Sequence, residues 1–218
     1  MMIPLWAWTT LFALGAYHGL NPAMGWLFAV ALGLQKKNAR AVWQSLLPIA
    51  AGHVLAMGVV VVVAVIAGAI LPIFAVRIGV VALLVGFGVY RLLGKGHPRW
   101  GGMEVGFADL TFWSFLMASA HGAGFMLLPV LLKMSAAETV PMTHAAHVHA
   151  FPGLGPALAA IAVHTMGYLL TMGAIAWIVY QKLGLSLLRK AWLNLDVVWA
   201  VALIATGGLT LLLPWSAG

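Results

Sequence analysis

The stretch Ala51-Gly52-His53-Val54-Leu55-Ala56-Met57-Gly58-Val59-Val60-Val61-Val62-Val63-Ala64-Val65-Ile66-Ala67-Gly68-Ala69-Ile70 contains no Asp, Glu, Lys or Arg, and its sole ionisable side chain is His53. The charge-free run extends from residue 41 to residue 76, and the candidate span within it is 41–71. A helix crossing the ~30 Å hydrocarbon core of a bilayer needs about 20 apolar residues at about 1.5 Å each. The run is long enough to span, and an ionisable group inside such a run is costly there, which marks it as a functional candidate.

The rest of the chain has the same character. Hydrophobic residues make up 64% of 218 and charged residues 7%, against roughly a quarter charged in an ordinary soluble domain. So little polar surface excludes a water-soluble globule and predicts an all-α integral membrane bundle, one transmembrane domain over 1–218. The candidate spans are six: 4–34, 41–71, 73–93, 107–133, 153–181 and 192–214. Several exceed the minimum length, which implies tilt or a break within the membrane. Residues Met1 to Trp8 lack the basic start of a cleavable signal peptide and read as the opening of the first span. Cysteine is absent, so disulfides and thiolate metal sites are excluded.

A formal charge of +7 would suit a nucleic-acid partner, but the placement of the charges argues against one. Lys36, Lys37 and Arg40, then Arg91, Lys95 and Arg99, then Lys182, Arg189 and Lys190 occupy three gaps between apolar runs. That alternation is the positive-inside pattern of cytoplasmic loops. The remaining gaps, near Pro72 and over 134–152 where Glu138 is the only charge, are then external. The expectation is a multi-pass protein of a bacterial inner membrane with both termini outside. Its partners are the lipid bilayer, a small ion or small-molecule substrate, and further copies of the chain in a homo-oligomer.

The two halves resemble each other. Span one carries Thr10-Leu11-Phe12-Ala13-Leu14-Gly15-Ala16-Tyr17-His18-Gly19, and span four carries Trp113-Ser114-Phe115-Leu116-Met117-Ala118-Ser119-Ala120-His121-Gly122. Gly52-His53 with Met57-Gly58 in span two is matched by His164 with Met166-Gly167 in span five, and Leu83–Gly88 in span three by Leu203–Gly208 in span six. The offset is 103 residues from His18 to His121 and 111 from His53 to His164, the difference falling in the longer connection between spans four and five. Two units of three spans, about 1–95 and 105–218, must have opposite orientations because three is odd. Inverted repeats of this kind characterise secondary transporters, whose sites lie near mid-membrane at the repeat interface.

His18, His53, His121 and His164 each lie about 12–15 residues into a span, roughly 18–22 Å along it and near mid-depth. Neutral imidazole is the form that ligates a transition metal. The plainer reading is that each His bridges helices by hydrogen bonds; two equivalent pairs favour a shared site. In His18-Gly19-Leu20-Asn21-Pro22, the missing N–H of Pro22 predicts a break that frees the His18 carbonyl, which is tolerated only beside a cavity. Gly122, Gly124 and Pro129 weaken span four similarly, although glycines also serve close helix packing. Met57, Met117 and Met24 lie near the histidines; an imidazole–thioether set would suit Cu(I), whereas most methionines in an apolar chain simply pack.

Two further groups are candidates. Arg77 and Asp196 fall at equivalent positions, 119 residues apart, and either pair across a pseudo-twofold or snorkel separately to water. The tract His144, His147 and His149 in the external segment either captures metal at the mouth of a path or forms a solvated loop.

On these residues the chain resembles a known family. His18-Gly19-Leu20-Asn21-Pro22-Ala23-Met24 is similar to the His-x4-Asp-His signature of NicO-type nickel/cobalt transporters, and Ala51-Gly52-His53-Val54 to that family's second Gly-His motif. The likeness covers spans one and two, and implies membership of the wider LysE-like superfamily of six-helix inverted repeats. Ala23 stands where the signature has Asp, Met24 where it has the second His, and Asn21 at a position often acidic. A cation would therefore meet mostly neutral ligands, with Asp196 the one intramembrane carboxylate.

The leading expectation is a permease or exporter, not an enzyme, for a transition-metal ion held by His18, His53, His121 and His164, with Asn21 assisting through its side-chain oxygen. Alternatives are a transporter of a small anion or amino acid with the same fold, and a membrane haem or metal-dependent enzyme using paired histidines as ligands. A hydrolase built on Ser114 or Ser119 with His121 lacks an acid to orient the imidazole. The charge pattern predicts that a periplasm-dependent reporter fused after Gly218 is active, and that the same reporter inserted in the 94–100 gap is inactive. Activity at the second position and not the first would reverse the orientation.

Overall fold

The computed structural model describes residues 4–70, 73–93, 106–136, 153–183, and 201, 203–205, 207 and 208. Among these the secondary structure is helical, with no strand. Helix α1 spans Leu5–Leu20, a 3-10 turn spans Pro22–Met24, and α2 spans Trp26–Gln35. Then follow α3 (Ala39–Ile70), α4 (Ile73–Leu93), α5 (Phe107–Ala120), α6 (Ala123–Ala136) and α7 (Leu154–Ile178), which ends in a π turn over Val179–Leu183.

Two stretches, Ala39–Ala67 and Leu154–Lys182, are long and apolar enough to cross a membrane unbroken. A third candidate is the pair Phe107–Ala120 and Ala123–Met134, bent by 58°. The structure therefore supports two to three membrane-crossing elements by length and composition where the sequence predicts six. The first predicted span is divided into α1, the 3-10 turn and α2. The third coincides with α4, and the sixth lies largely outside the described residues.

Helix α3 shows how an all-apolar helix chooses its faces. Ile49, His53, Ala56, Met57 and Val61 are buried, whereas Leu55, Val59, Val62, Val63 and Ile66 are each about half exposed or more. Both sets repeat at the 3.6-residue period, so one stripe faces protein and the other is an exposed apolar face, as suits a helix long and apolar enough to cross a membrane. Helix α7 behaves alike, burying Ala157, Ala160, His164, Tyr168 and Met172 while exposing Leu154, Leu158, Leu170 and Ile178.

Between helices, glycine sets the approach. A Cβ at Gly15 would lie 2.0 Å from the His164 carbonyl oxygen, one at Gly19 2.5 Å from that of Tyr168, and one at Gly167 2.3 Å from that of Phe12. Gly15 and Gly19 thus form a small-xxx-small seam on which α7 lies backbone to backbone. Gly25 then meets Met172, and Gly33 meets Tyr180. Contact positions rise together along both chains, so α1, the turn and α2 run beside α7 in one direction. The break bends the first span without reversing it.

Helix α3 packs likewise on α5 and α6. Gly52 meets Thr111 and Phe115, and Gly124 meets Val60, again rising together past the bend. The Ser114 hydroxyl donates to the Ile49 carbonyl at 2.6 Å across this seam. At one end, Gly33 packs on Val42 across the α2–α3 turn, where Lys37 adopts a positive φ of 48° and Asn38 accepts from the Arg40 N–H at 2.9 Å.

These contacts separate the glycines by role. Gly15→Ala is expected to destabilise the protein by about 1–3 kcal/mol, because the added methyl meets rigid backbone. Gly58 has nothing within 4 Å of a built Cβ, so Gly58→Ala should be neutral or stabilising by about 0.5–1 kcal/mol through helix propensity. Equilibrium unfolding in detergent distinguishes the two; equal effects would contradict the packing described.

Candidate functional site

The buried core forms two apolar clusters. One gathers Ala7, Leu11, Ala56, Met57, Val61, Ala123, Met126, Ala157 and Ile161; the other gathers Met24, Trp26, Val42, Ile49, Met117, Tyr168 and Met172. Histidines lie close to the changeover: His18 on α1, His53 between Ile49 and Ala56, and His164 between Ile161 and Tyr168, while on α5 the changeover falls at Met117 and Ala118, one turn before His121. All four are 0–1% exposed. They make a polar layer across the middle of an apolar bundle.

Three of the rings meet. The centroid of His18 lies 4.9 Å from that of His53 and 5.8 Å from that of His164, and His53 and His164 are 5.8 Å apart with planes 10° from parallel. No ring nitrogen of His53 or His164 makes a hydrogen bond of good geometry among the described residues, but the Leu11 backbone of α1 stands as a hydrogen-bonding neighbour of His164. An unmet buried polar group costs about 1–3 kcal/mol, so His53 is left in need of a partner, while the plainer reading of a helix-bridging ring still holds for His164, between α7 and α1.

His121 is the fourth ring, close enough to His18 for electrostatic interaction. It caps α5, and its Nδ1 lies 2.8 Å from the Met117 carbonyl. A carbonyl can only accept, so Nδ1 carries a proton; in a neutral ring Nε2 would then hold the lone pair, the tautomer that carbonyl-anchored metal ligands adopt.

Both helix breaks sit at the layer. In span four α5 ends at His121, and Gly122 takes a φ of +68°, the left-handed region that favours glycine. Gly124, by contrast, serves packing against Val60. In span one α1 stops at Leu20 and Asn21 is extended. The His18 carbonyl is not freed as the sequence predicts; it accepts from the Asn21 N–H at 3.3 Å. The Leu20 carbonyl accepts from Trp26 Nε1 at 3.0 Å, and the Met24 carbonyl from the Tyr168 hydroxyl.

Asn21 is 2% exposed, but its role differs from expectation. Its Oδ1 caps the 3-10 turn by accepting from the Ala23 N–H at 3.0 Å, and its Nδ2 is the atom without a partner. The amide is thus turned to offer a donor, where a cation would need the oxygen. Ser114 is committed to the Ile49 carbonyl, away from His121. The methionines Met24, Met57 and Met117 are buried within the two apolar clusters.

Tyr168 escaped the sequence reading. It is fully buried, its ring stacks on His53 with centroids 4.1 Å apart and planes at 13°, and it lies 6.0 Å from His18. The available signal was its position one turn after His164 on the same face, in a chain with four tyrosines. The side chain of Arg77, and Asp196, His144, His147 and His149 altogether, lie outside the described residues. Among those described the one carboxylate is Asp109, which accepts from the Gly106 N–H at the start of α5.

Among the described residues no three His, Cys, Asp or Glu side chains already stand as a finished metal site. The spacing nevertheless suits one. With nitrogen–metal distances of about 2.0–2.1 Å, three imidazoles around one ion have ring centres about 5–5.5 Å apart, against the 4.9–5.8 Å observed. What is missing is orientation: rings must turn about their side-chain torsions to aim nitrogens at one point. Compared with protein-family models, curated proteins and solved structures, the chain finds no match.

Proposed function

We propose that the protein is a membrane transporter, permease or exporter, for a transition-metal ion that His18, His53 and His164 bind at mid-depth, with His121 as the fourth ligand. The observation that carries this is the meeting of three fully buried imidazoles, from three different helices, at separations suited to one ion. Neutral nitrogen donors without a carboxylate select a borderline or soft cation over a hard one.

The arrangement of helices supports the transporter reading. The first span lies along α7 and α3 lies along α5–α6, which is the exchange of partners that two equivalent halves produce about a pseudo-twofold. Each half contributes one broken span, interrupted at a His-Gly pair, and such breaks mark the substrate site of inverted-repeat transporters. Gly207 packs against Leu84 and Val85 of α4, and Leu203 against Gly122, as a sixth span equivalent to the third would allow. We therefore read the chain as six spans in two inverted repeats, with basic loops cytoplasmic and both ends external. Rocking of the halves would expose the histidine layer to each side in turn. The resemblance to NicO-type transporters points the same way.

One observation favours a second cargo. The buried Asn21 Nδ2 is a donor in need of an acceptor, which a small anion or a carboxylate-bearing amino acid would supply. The haem alternative requires a flat slot between two imidazoles; Tyr168 stacked on His53, with His18 against both, occupies that space.

Detergent-purified protein is expected to retain about one equivalent of an added metal such as Co²⁺ or Ni²⁺ per chain. His18→Ala, His53→Ala and His164→Ala should each weaken retention by at least about tenfold. Retention should also fall as pH is lowered, because protons compete for the same lone pairs. Elemental analysis and equilibrium dialysis measure both. Equal metal content in wild type and the triple variant would end the ion reading, and metal-independent uptake of a small anion into proteoliposomes would establish the second.

A further inference from the structure

The proposed ion site accounts for the histidines but not for Tyr168, and the contacts of this side chain are unusual. Its ring stacks on His53 of α3 and approaches His18 of α1, while its own helix supplies His164 one turn away. Its hydroxyl does not turn to the imidazoles. It crosses to the Met24 carbonyl in the 3-10 turn that interrupts the first span. One rigid, fully buried side chain thus touches the cluster with its face and the break with its tip.

The other supports of the break do not do this. Asn21 ties the turn to itself through the Ala23 N–H. Trp26 ties the start of α2 back to the end of α1 through the Leu20 carbonyl. Gly25, at a φ of +135°, bends the backbone where it packs against Ile49 and Met172. Among the described hydrogen bonds, that of Tyr168 is the one joining the break to a side chain that contacts the imidazoles.

Resting on the ion-site reading, we infer that Tyr168 is a positioning residue that couples the broken first span to the imidazole cluster: with its hydroxyl on the Met24 carbonyl the turn is held shut over the site, and release of that bond frees both the turn and the His53 ring. Reorientation of the rings into a common ligand set and movement of the break are then one event. This gives the break a gating role and makes Tyr168, which would not itself ligate the ion, a determinant of how fast the ion enters and leaves.

The chain has no cysteine, so a single one placed in the turn reports its exposure directly. Ala23→Cys is to be labelled with N-ethylmaleimide in the wild-type and Tyr168→Phe backgrounds, and Co²⁺ release into excess chelator timed for Tyr168→Phe, Trp26→Phe and the parent. Tyr168→Phe keeps the ring on His53 and removes one buried hydrogen bond. It should raise both labelling rate and Co²⁺ release by about five- to tenfold, leaving the position of the cobalt absorption bands unchanged. Trp26→Phe, which loosens the same break without touching the cluster, should leave release within about twofold of the parent, well below the effect of that hydrogen bond. An unaltered labelling rate in Tyr168→Phe overturns the coupling, whether or not cobalt binds, as does equal acceleration of release by Trp26→Phe. Failure of the parent protein to bind Co²⁺ or other metals would instead count against the ion site, and labelling alone would then decide the coupling.

Discussion

Everything in this bundle is arranged around the cost of placing neutral, hydrogen-bonding rings in an interior with little to offer them. Four imidazoles lie within 1% of complete burial, and the two core clusters on either side of them are apolar. A bundle needing only stability would fill those positions with leucine, since lipid-embedded helices associate through close packing and do not require a polar layer. Under the proposed function the layer is the site itself, and the rest of the architecture can be read as what is needed to bring it together.

Bringing it together falls to the glycines. An imidazole on α1 can meet one on α7 only if the two backbones approach more closely than ordinary side chains permit. The seam of Gly15, Gly19 and Gly167 achieves this immediately beside His18 and His164. Gly52 does the same for α3 against α5, one residue before His53. Close packing and the buried site are therefore the same design: the residue next to the ring is the residue that lets the ring's helix come near. The interrupted spans add the complementary property, backbone groups at the layer that bond to side chains instead of to the next helical turn.

Much of this was legible in the primary structure. The depth of each histidine followed from helix rise and span boundaries, and the four fell into one layer as that arithmetic implies. Proline and glycine after His18 and His121 marked both breaks, because backbone chemistry is local. What could not be read was the pairing of groups distant in the chain. The Met24 carbonyl meets Tyr168 across 144 residues, and no periodicity reports such a contact. For Asn21 the difference is one of direction. Its side-chain oxygen, expected at the ion, caps the turn, a choice set by the extended φ and ψ of the break. The expectation of a freed His18 carbonyl failed for the same reason, since the Asn21 N–H turns back to meet it. Continuous spans were harder still: hydropathy sees 4–34 as one run because a 3-10 turn of Pro, Ala and Met is as apolar as the helices it separates.

The absence of any acid among the described groups at the histidine layer has an electrical consequence. Imidazole nitrogens hold a cation without cancelling its charge, so under the proposed function the loaded site would keep the full valence of its cargo while the empty one carries none. Each transit would then displace net charge through the bilayer, and membrane voltage would enter the energetics directly at about 2.3 kcal/mol per elementary charge per 100 mV. A divalent passenger would feel twice that. The resting potential of the host membrane, acting on uncompensated valence, would thereby set the favoured direction of flux.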